Sequence, residues 1–193
     1  MPTRVVVAED EAIIRMDLRE LLGEEGYEVV AECGRGDEAV SLVREFRPDV
    51  ALLDIKMPGM DGISAAREIS ADRLSAVVLV TAFSQRELIE ESADAGVHAY
   101  VVKPFERHDL VPAIEVALAR FRSEQSLIDQ AATAEQRLES RKVIDRAKGA
   151  LMDGSGLTEQ AAFDFIQKTA MQERRTMRDV AQDVIDGAVA PQT

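Results

Sequence analysis

A doubly wound, five-stranded parallel α/β domain followed by a small all-helical unit is the fold class this sequence predicts. Three observations predict it. Short apolar runs recur five times within residues 1–122, each followed by a stretch with helical apolar spacing. The third run, Val50-Ala51-Leu52-Leu53, is unbroken rather than alternating, as in a strand covered on both faces. From residue 123 onward the apolar residues keep to helical spacing, with no proline and only Gly149 as glycine through residue 152.

Taken in order, Val5-Val6-Val7-Ala8 is a first strand, followed by Glu9-Asp10-Glu11. Ile13, Ile14, Leu18, Leu21 and Leu22 then mark a helix that ends between Gly23 and Gly26. Val29-Val30-Ala31 is a second strand, and Ala39, Val40, Leu42, Val43 and Phe46 a second helix closed by Pro48. After the third strand, Ile63, Ala66 and Ile69 give a short helix, with Asp61 as turn chemistry beside Gly62. Val77-Val78-Leu79-Val80 is the fourth strand, running into Thr81-Ala82, and Leu88, Ile89 and Ala93 mark a fourth helix. Tyr100-Val101-Val102 is the fifth strand, before Lys103-Pro104, and Leu110, Ile114, Ala117, Leu118 and Phe121 a fifth helix. Right-handed crossovers with short loops then favour strand order 2-1-3-4-5, the flavodoxin-like arrangement. The domains expected are residues 1–122, a helical linker at 123–140 and a three-helix unit at 141–193, in which Thr158 and Thr176 cap the last two helices.

With 46% apolar and 31% charged residues, the chain reads as a folded globular protein. Apolar runs of at most four or five residues exclude a helical membrane span, and no secretory leader is visible before Arg4, so a cytoplasmic location is expected. Cys33 is the sole cysteine and reads as a small core side chain, while His98 and His108 lack ligand partners in sequence and read as structural. Glu11 reads as a solvated residue at the start of the first helix. The net charge of −13 hides a basic segment: residues 137–178 hold nine basic and six acidic residues, a net of +3.

The predicted sheet brings Glu9, Asp10, Asp54, Thr81 and Lys103 to one edge, at the carboxyl ends of four strands. Three converging carboxylates repel unless a cation compensates, and an all-oxygen set in an open site suits Mg²⁺. Lys103 and the Thr81 hydroxyl can then meet phosphoryl oxygens, and Asp54 is placed to act as nucleophile.

On these residues, with Lys56-Met57-Pro58-Gly59-Met60-Asp61-Gly62, Thr81-Ala82 and Tyr100 before Lys103-Pro104-Phe105, residues 4–122 resemble the receiver domains of two-component response regulators. The resemblance implies phosphorylation of Asp54 by a sensor histidine kinase, with no enzymatic activity beyond assisting its own dephosphorylation. It implies Mg²⁺ held by Asp10, Asp54 and the backbone carbonyl of Lys56 with Glu9 nearby, a cis bond before Pro104, and coupled movement of Thr81 and Tyr100.

A competing pattern is Gly34-Arg35-Gly36 with Ala39, which matches G-x-G-x-x-A after a strand, with Asp54 at a distance suited to a ribose contact. It follows the second, edge strand rather than the first, and no substrate domain follows, so a dinucleotide enzyme is rejected.

In the C-terminal part, Arg137, Arg141, Lys142, Arg146 and Lys148 recur at four- and seven-residue steps, and Arg174, Arg175 and Arg178 cluster at the start of the last helix. A phosphate-binding surface fits this pattern; a solvated charged face is the bland alternative. Of Phe163 and Phe165, two apart on a helix, at most one is expected to be exposed, which argues against extensive base stacking. Leu127, Ala131, Ala134 and Leu138 step like a short coiled-coil seam and could join two copies. Residues 146–152, Gly156-Leu157-Thr158-Glu159, Ala161-Ala162-Phe163, residues 171–178 and Val180-Ala181 together resemble an ANTAR domain. That resemblance implies recognition of tandem RNA hairpins by a homodimer, one hairpin per protomer, which prevents a transcription terminator from folding. The contacts expected are Arg141, Lys142, Arg146, Ala147, Lys148, Thr158, Glu159, Arg174, Arg175 and Arg178. The alternative is a DNA-binding response regulator acting as a transcription factor.

Overall fold

The strand and helix boundaries follow from where apolar side chains can be covered. The computed structural model describes residues 1–82 and 94–190. Among them the order is β1 (Arg4–Ala8), α1 (Ala12–Glu24), β2 (Glu28–Cys33), α2 (Gly36–Phe46), β3 (Val50–Asp54), α3 (Gly62–Ala71), β4 (Ala76–Thr81), β5 (Ala99–Val102), α4 (Arg107–Ser155), α5 (Glu159–Glu173) and α6 (Met177–Ile185). The helix expected around Leu88, Ile89 and Ala93 lies outside the described residues.

The five strands form one parallel sheet in the order β2-β1-β3-β4-β5, the flavodoxin-like arrangement. Successive side chains in a strand point to opposite faces, so a strand covered on both sides must be apolar throughout. One layer joins Val6, Ala51, Leu53, Val77 and Leu79 to α2 and α3 residues such as Val43 and Ile69. The other joins Val7, Leu52, Val78 and Val80 to Leu18 and Leu22 of α1 and Leu110 and Ile114 of α4. Every residue of β3 and β4 is buried, which explains the unbroken apolar run at residues 50–53. Each buried Leu or Val there contributes about 1.5–3 kcal/mol by leaving water.

The chain divides into two compact units, Met1–Gln125 and Ser126–Thr193. The fifth predicted helix and the linker are one continuous 49-residue helix, α4. In the second unit, Ala147 and Leu151 of α4, Ala162, Ile166 and Ala170 of α5, and Val180, Ala181 and Val184 of α6 make a small separate core. Its helix starts are set by hydroxyls: Thr158 accepts a bond from the Ala161 amide at 3.3 Å and Thr176 one from Asp179 at 3.2 Å. Gly156, at φ +65°, lies just beyond the end of α4, in the left-handed conformation that ends helices at little cost to glycine.

Candidate functional site

Because all five strands run the same way, their carboxyl ends deliver Glu9, Asp54, Thr81 and Lys103 to one edge of the sheet. There a pocket of about 300 Å³ is lined by Asp10, Asp54, Lys56, Thr81 and Lys103, with Glu11, Ile55 and Ala82. Carboxylate oxygens of Glu9, Asp10 and Asp54 lie within 4.8 Å of one another. Their burial differs: Glu9 is fully buried, Asp54 nearly so, and Asp10 is exposed.

Lys103 holds the acids together. Its Nζ lies 2.6 Å from Glu9 Oε2 and 2.8 Å from Asp54 Oδ1. Burial raises the Glu9 pKa, against the pull of Lys103, and the Asp54 charge adds to the rise. Burial works against the Lys103 charge, but hydrogen bonds from Nζ to Asp54 and Glu9 hold its pKa above the ordinary lysine value. The second Asp54 oxygen, Oδ2, accepts from the Lys56 amide at 2.8 Å, so both oxygens are oriented. Two further bonds fix the end of β1: the Glu9 amide donates to the Cys33 carbonyl at 3.0 Å, and the Arg15 guanidinium donates to the Glu9 carbonyl. Arg15 has no signal in the sequence, being one of two arginines beside the apolar stripe of α1.

The glycines around the pocket are dictated by close approach of backbone. A Cβ on Gly62 would sit 2.0 Å from the Asp54 carbonyl oxygen, and one on Gly36 would sit 2.3 Å from that of Met60. The second glycine of the G-x-G pattern, Gly36, therefore has a structural cause, the packing of the start of α2 against the loop after β3. Asp61 caps α3, accepting from the Ser64 amide at 2.7 Å. The Lys103–Pro104 bond is cis. Thr81 is buried at the end of β4, whereas the Tyr100 side chain on β5 is 47% exposed and does not line the pocket. Cys33 is buried with its thiol pKa pushed up by that burial, as suits an inert core side chain. His98 is buried too, while His108 is exposed.

In the helical unit the ten residues expected to touch RNA separate into groups. Ala147 is fully buried in the small core and cannot reach a ligand, which corrects that expectation: its methyl faces α5 and α6. Lys148, its side chain 17% exposed, is held at 2.8 Å by both Asp145 and Glu159, so it ties α4 to the start of α5. The Thr158 hydroxyl is engaged as a helix cap. Arg175 is paired with Glu173 at 3.0 Å and Asp183 at 2.6 Å, and Lys142 with Glu139 at 2.7 Å. Arg141 is 82% exposed, with only a 3.9 Å contact to Asp145. Arg146, Arg174 and Arg178 are exposed. Phe163 is exposed while Phe165 packs on the core.

Comparison with known proteins gives these two constellations a common setting. Residues 5–115 match the response regulator receiver domain and residues 132–185 the ANTAR domain. The transcriptional regulatory protein PdtaR of Mycobacterium tuberculosis is 52% identical over 191 residues, covering 99% of this chain and 93% of that protein. The chemotaxis protein CheY of Bacillus subtilis is 35% identical over 119 residues, covering 61% of this chain and 99% of CheY. Among solved structures, the signal receiver domain of the response regulator NarL from Mycobacterium tuberculosis superposes with a TM-score of 0.59 at 30% identity, covering 61% of this chain and 97% of that one. Among the described residues, no helix is long and apolar enough to cross a membrane. A chain with a carboxylate pocket at the sheet edge, an N-terminal receiver match, a C-terminal ANTAR match and a full-length relative of the same plan belongs to the response regulators of two-component systems, in the branch that carries an ANTAR domain.

Proposed function

We propose that Asp54 accepts a phosphoryl group from a sensor histidine kinase and that this controls RNA binding by residues 141–186. The observation that carries the proposal is the pairing of Asp54 with Lys103 at 2.8 Å in a pocket open to solvent on the side of Asp10. An Asp54 carboxylate oxygen attacks phosphorus; a phosphorus–oxygen bond forms as the phosphorus–nitrogen bond of a phosphohistidine breaks, and the leaving imidazole keeps the electron pair and takes a proton. Lys103 then faces a more highly charged group and can exchange a carboxylate partner for a phosphoryl oxygen, with the Thr81 hydroxyl as a second donor. Tyr100, exposed on β5, would follow Thr81 in reporting that change on the surface. The chain acts as phosphoacceptor, assisting at most its own dephosphorylation, and works in the cytoplasm where kinase and transcript meet.

The donor set fits Mg²⁺: only oxygens, one exposed carboxylate, and room for retained waters. Asp10, Asp54 and the Lys56 carbonyl would hold it, with Glu9 behind them engaged by Lys103. When bound, the ion would supply positive charge against the phosphoryl oxygens.

Of the ten expected contacts in the helical unit, Arg141, Arg146, Arg174 and Arg178 are the readily available cations; Lys142, Lys148, Glu159 and Arg175 must first exchange an internal partner. The exposed side chains of Leu127 and Leu138, with Ala131 and Ala134 between them, provide the seam through which phosphorylation would promote a homodimer that binds two hairpins of a leader transcript and prevents termination. Gel-shift titration of protein treated with acetyl phosphate and Mg²⁺, against a two-hairpin RNA and an equal-length DNA duplex, tests the reading. Tighter RNA binding after phosphorylation is expected. Equal or tighter binding to DNA would instead mark a DNA-binding transcription factor, and binding to neither would leave a receiver that acts through protein partners.

A further inference from the structure

We propose that a groove within the helical unit, between the stretch of α4 from Thr133 to Lys148 and Phe163 of α5, takes one unpaired nucleobase, stacked on the Phe163 ring and with its flanking phosphates on Arg137 and Arg141. The inference rests on the RNA reading above and locates the base contact within it.

The groove encloses about 600 Å³, a volume within the range of small-ligand sites. Its lining joins three cations, Arg137, Arg141 and Lys148, to a single carboxylate, Asp145. Lys148 is engaged by Asp145 and by Glu159, each at 2.8 Å, so the positive charge open to a ligand is that of the two arginines. Arg137 makes no ion pair among the described residues, and Arg141 makes only the 3.9 Å contact. This is a surface whose charge suits a polyanion in a chain of net charge −13.

The ring decides between a nucleic acid and any other polyanion. Phe163 is 36% exposed while its neighbour Phe165 packs inward, and half-buried Ile144 shares the groove. An acidic peptide would use the arginines but leave the ring face without a partner. A nucleotide has both a phosphate and a π face. The Gln136 amide adds a donor and an acceptor at the same wall, and its side chain has no hydrogen-bond partner among the described residues. Because paired bases in an A-form stem hide their faces, only a base splayed from a loop, bulge or end can enter. With one ring in the groove, one base is stacked.

The test uses the full chain, phosphorylated with acetyl phosphate and Mg²⁺, and a hairpin RNA selected on the wild-type protein from a pool with a randomised loop. The same stem without a loop is the control. By anisotropy, Phe163→Leu is expected to weaken binding of the looped RNA about tenfold, the usual cost of one lost base stack, and to leave the weak stem binding unchanged. Phe163→Tyr, which keeps the ring, should restore affinity. Arg137→Gln should weaken both RNAs and reduce the salt slope by about one. Ultraviolet cross-linking followed by mass spectrometry should place the RNA on the peptide containing Phe163, a readout that stands even if the leucine variant does not fold. Wild-type affinity in Phe163→Leu, cross-links confined to other peptides, or displacement of the RNA from Phe163 variants and wild type alike by polyglutamate would overturn the groove while the RNA reading survives. If no looped RNA is retained by the wild type, the RNA reading itself fails, and the groove with it.

Discussion

In the sheet unit, Glu9 and Asp54 are buried and share one partly buried lysine; in the helical unit, Arg141 is 82% exposed and most neighbouring charges are paired on the surface. The first arrangement is set by four strand ends that the core fixes in place, so geometry is decided before any ligand arrives. The second rests on side chains that can turn toward solvent, held by ion pairs of the kind that contribute little in water. The difference suits the partners proposed above: a phosphoryl group is small and always the same, whereas an RNA surface is large and requires adjustable contacts. It also predicts that single changes matter far more at the strand ends than along the basic face.

The largest expected effect is chemical. Asp54→Asn should reduce phosphoryl uptake from acetyl phosphate to background, measured by intact-protein mass spectrometry, while the melting temperature stays near wild type. Persistent labelling would remove the nucleophile from the sheet edge. Next come the cores. Leu52→Ala and Ile166→Ala each delete a fully buried side chain and should each cost about 2–5 kcal/mol. In the helical unit the core comprises eight buried residues, so Ile166→Ala should unfold that unit while the sheet survives. Hydrogen exchange read separately over the two units checks this; equal loss of protection in both would mean that they fold as one.

A smaller effect depends on pH. His98 is buried, its Nδ1 accepts from the Val77 amide at 3.1 Å, and its ring meets Phe121 edge-on at 5.4 Å. Nε2 lies 3.5 Å from the Glu124 carboxylate, within ion-pair range, yet it is buried without a hydrogen-bond partner. Burial lowers the His98 pKa below its ordinary 6.5, more than Glu124 raises it. The unfolded chain therefore takes up a proton first as pH falls, so His98 favours the fold above about pH 6.5 and loses that contribution below it, by up to about 1.4 kcal/mol per pH unit between the two pKa values. His98→Asn should flatten the dependence of melting temperature on pH between 7 and 5. An unchanged slope would assign the acid sensitivity to the carboxylates instead. The smallest effect is expected on the surface: Arg44→Ala removes exposed pairs with Glu68 and Asp72 and should leave the melting temperature unmoved, as measured by calorimetry.

The strand order and the gathering of Glu9, Asp54, Thr81 and Lys103 were legible because unbroken apolar runs, as in strands covered on both faces, alternate with helical segments and leave few topologies. Each of those polar residues directly follows or ends an apolar run. The basic face was legible only in outline. Spacing put Lys148 on a charged helix surface and Arg175 in a basic cluster at the start of the last helix, but did not show the engagement of Lys148 by Glu159 and of Arg175 by Asp183, acids that come from neighbouring elements. Ala147 shows the same limit from the other side: its place in a motif says nothing about whether the motif faces solvent or the core.

What the sequence determined by itself is therefore what local pattern can encode: five buried strands, the helix caps at Thr158 and Thr176, the acidic sheet edge and the excess of positive charge downstream. Only the tertiary structure decided who meets whom. It put Lys103 between Glu9 and Asp54, gave Gly36 and Gly62 their cause in the carbonyls of Met60 and Asp54, and brought Phe163 to the same groove as Arg137 and Arg141. Most of those contacts join residues far apart in the chain, and packing, unlike periodicity, acts only once the chain has folded.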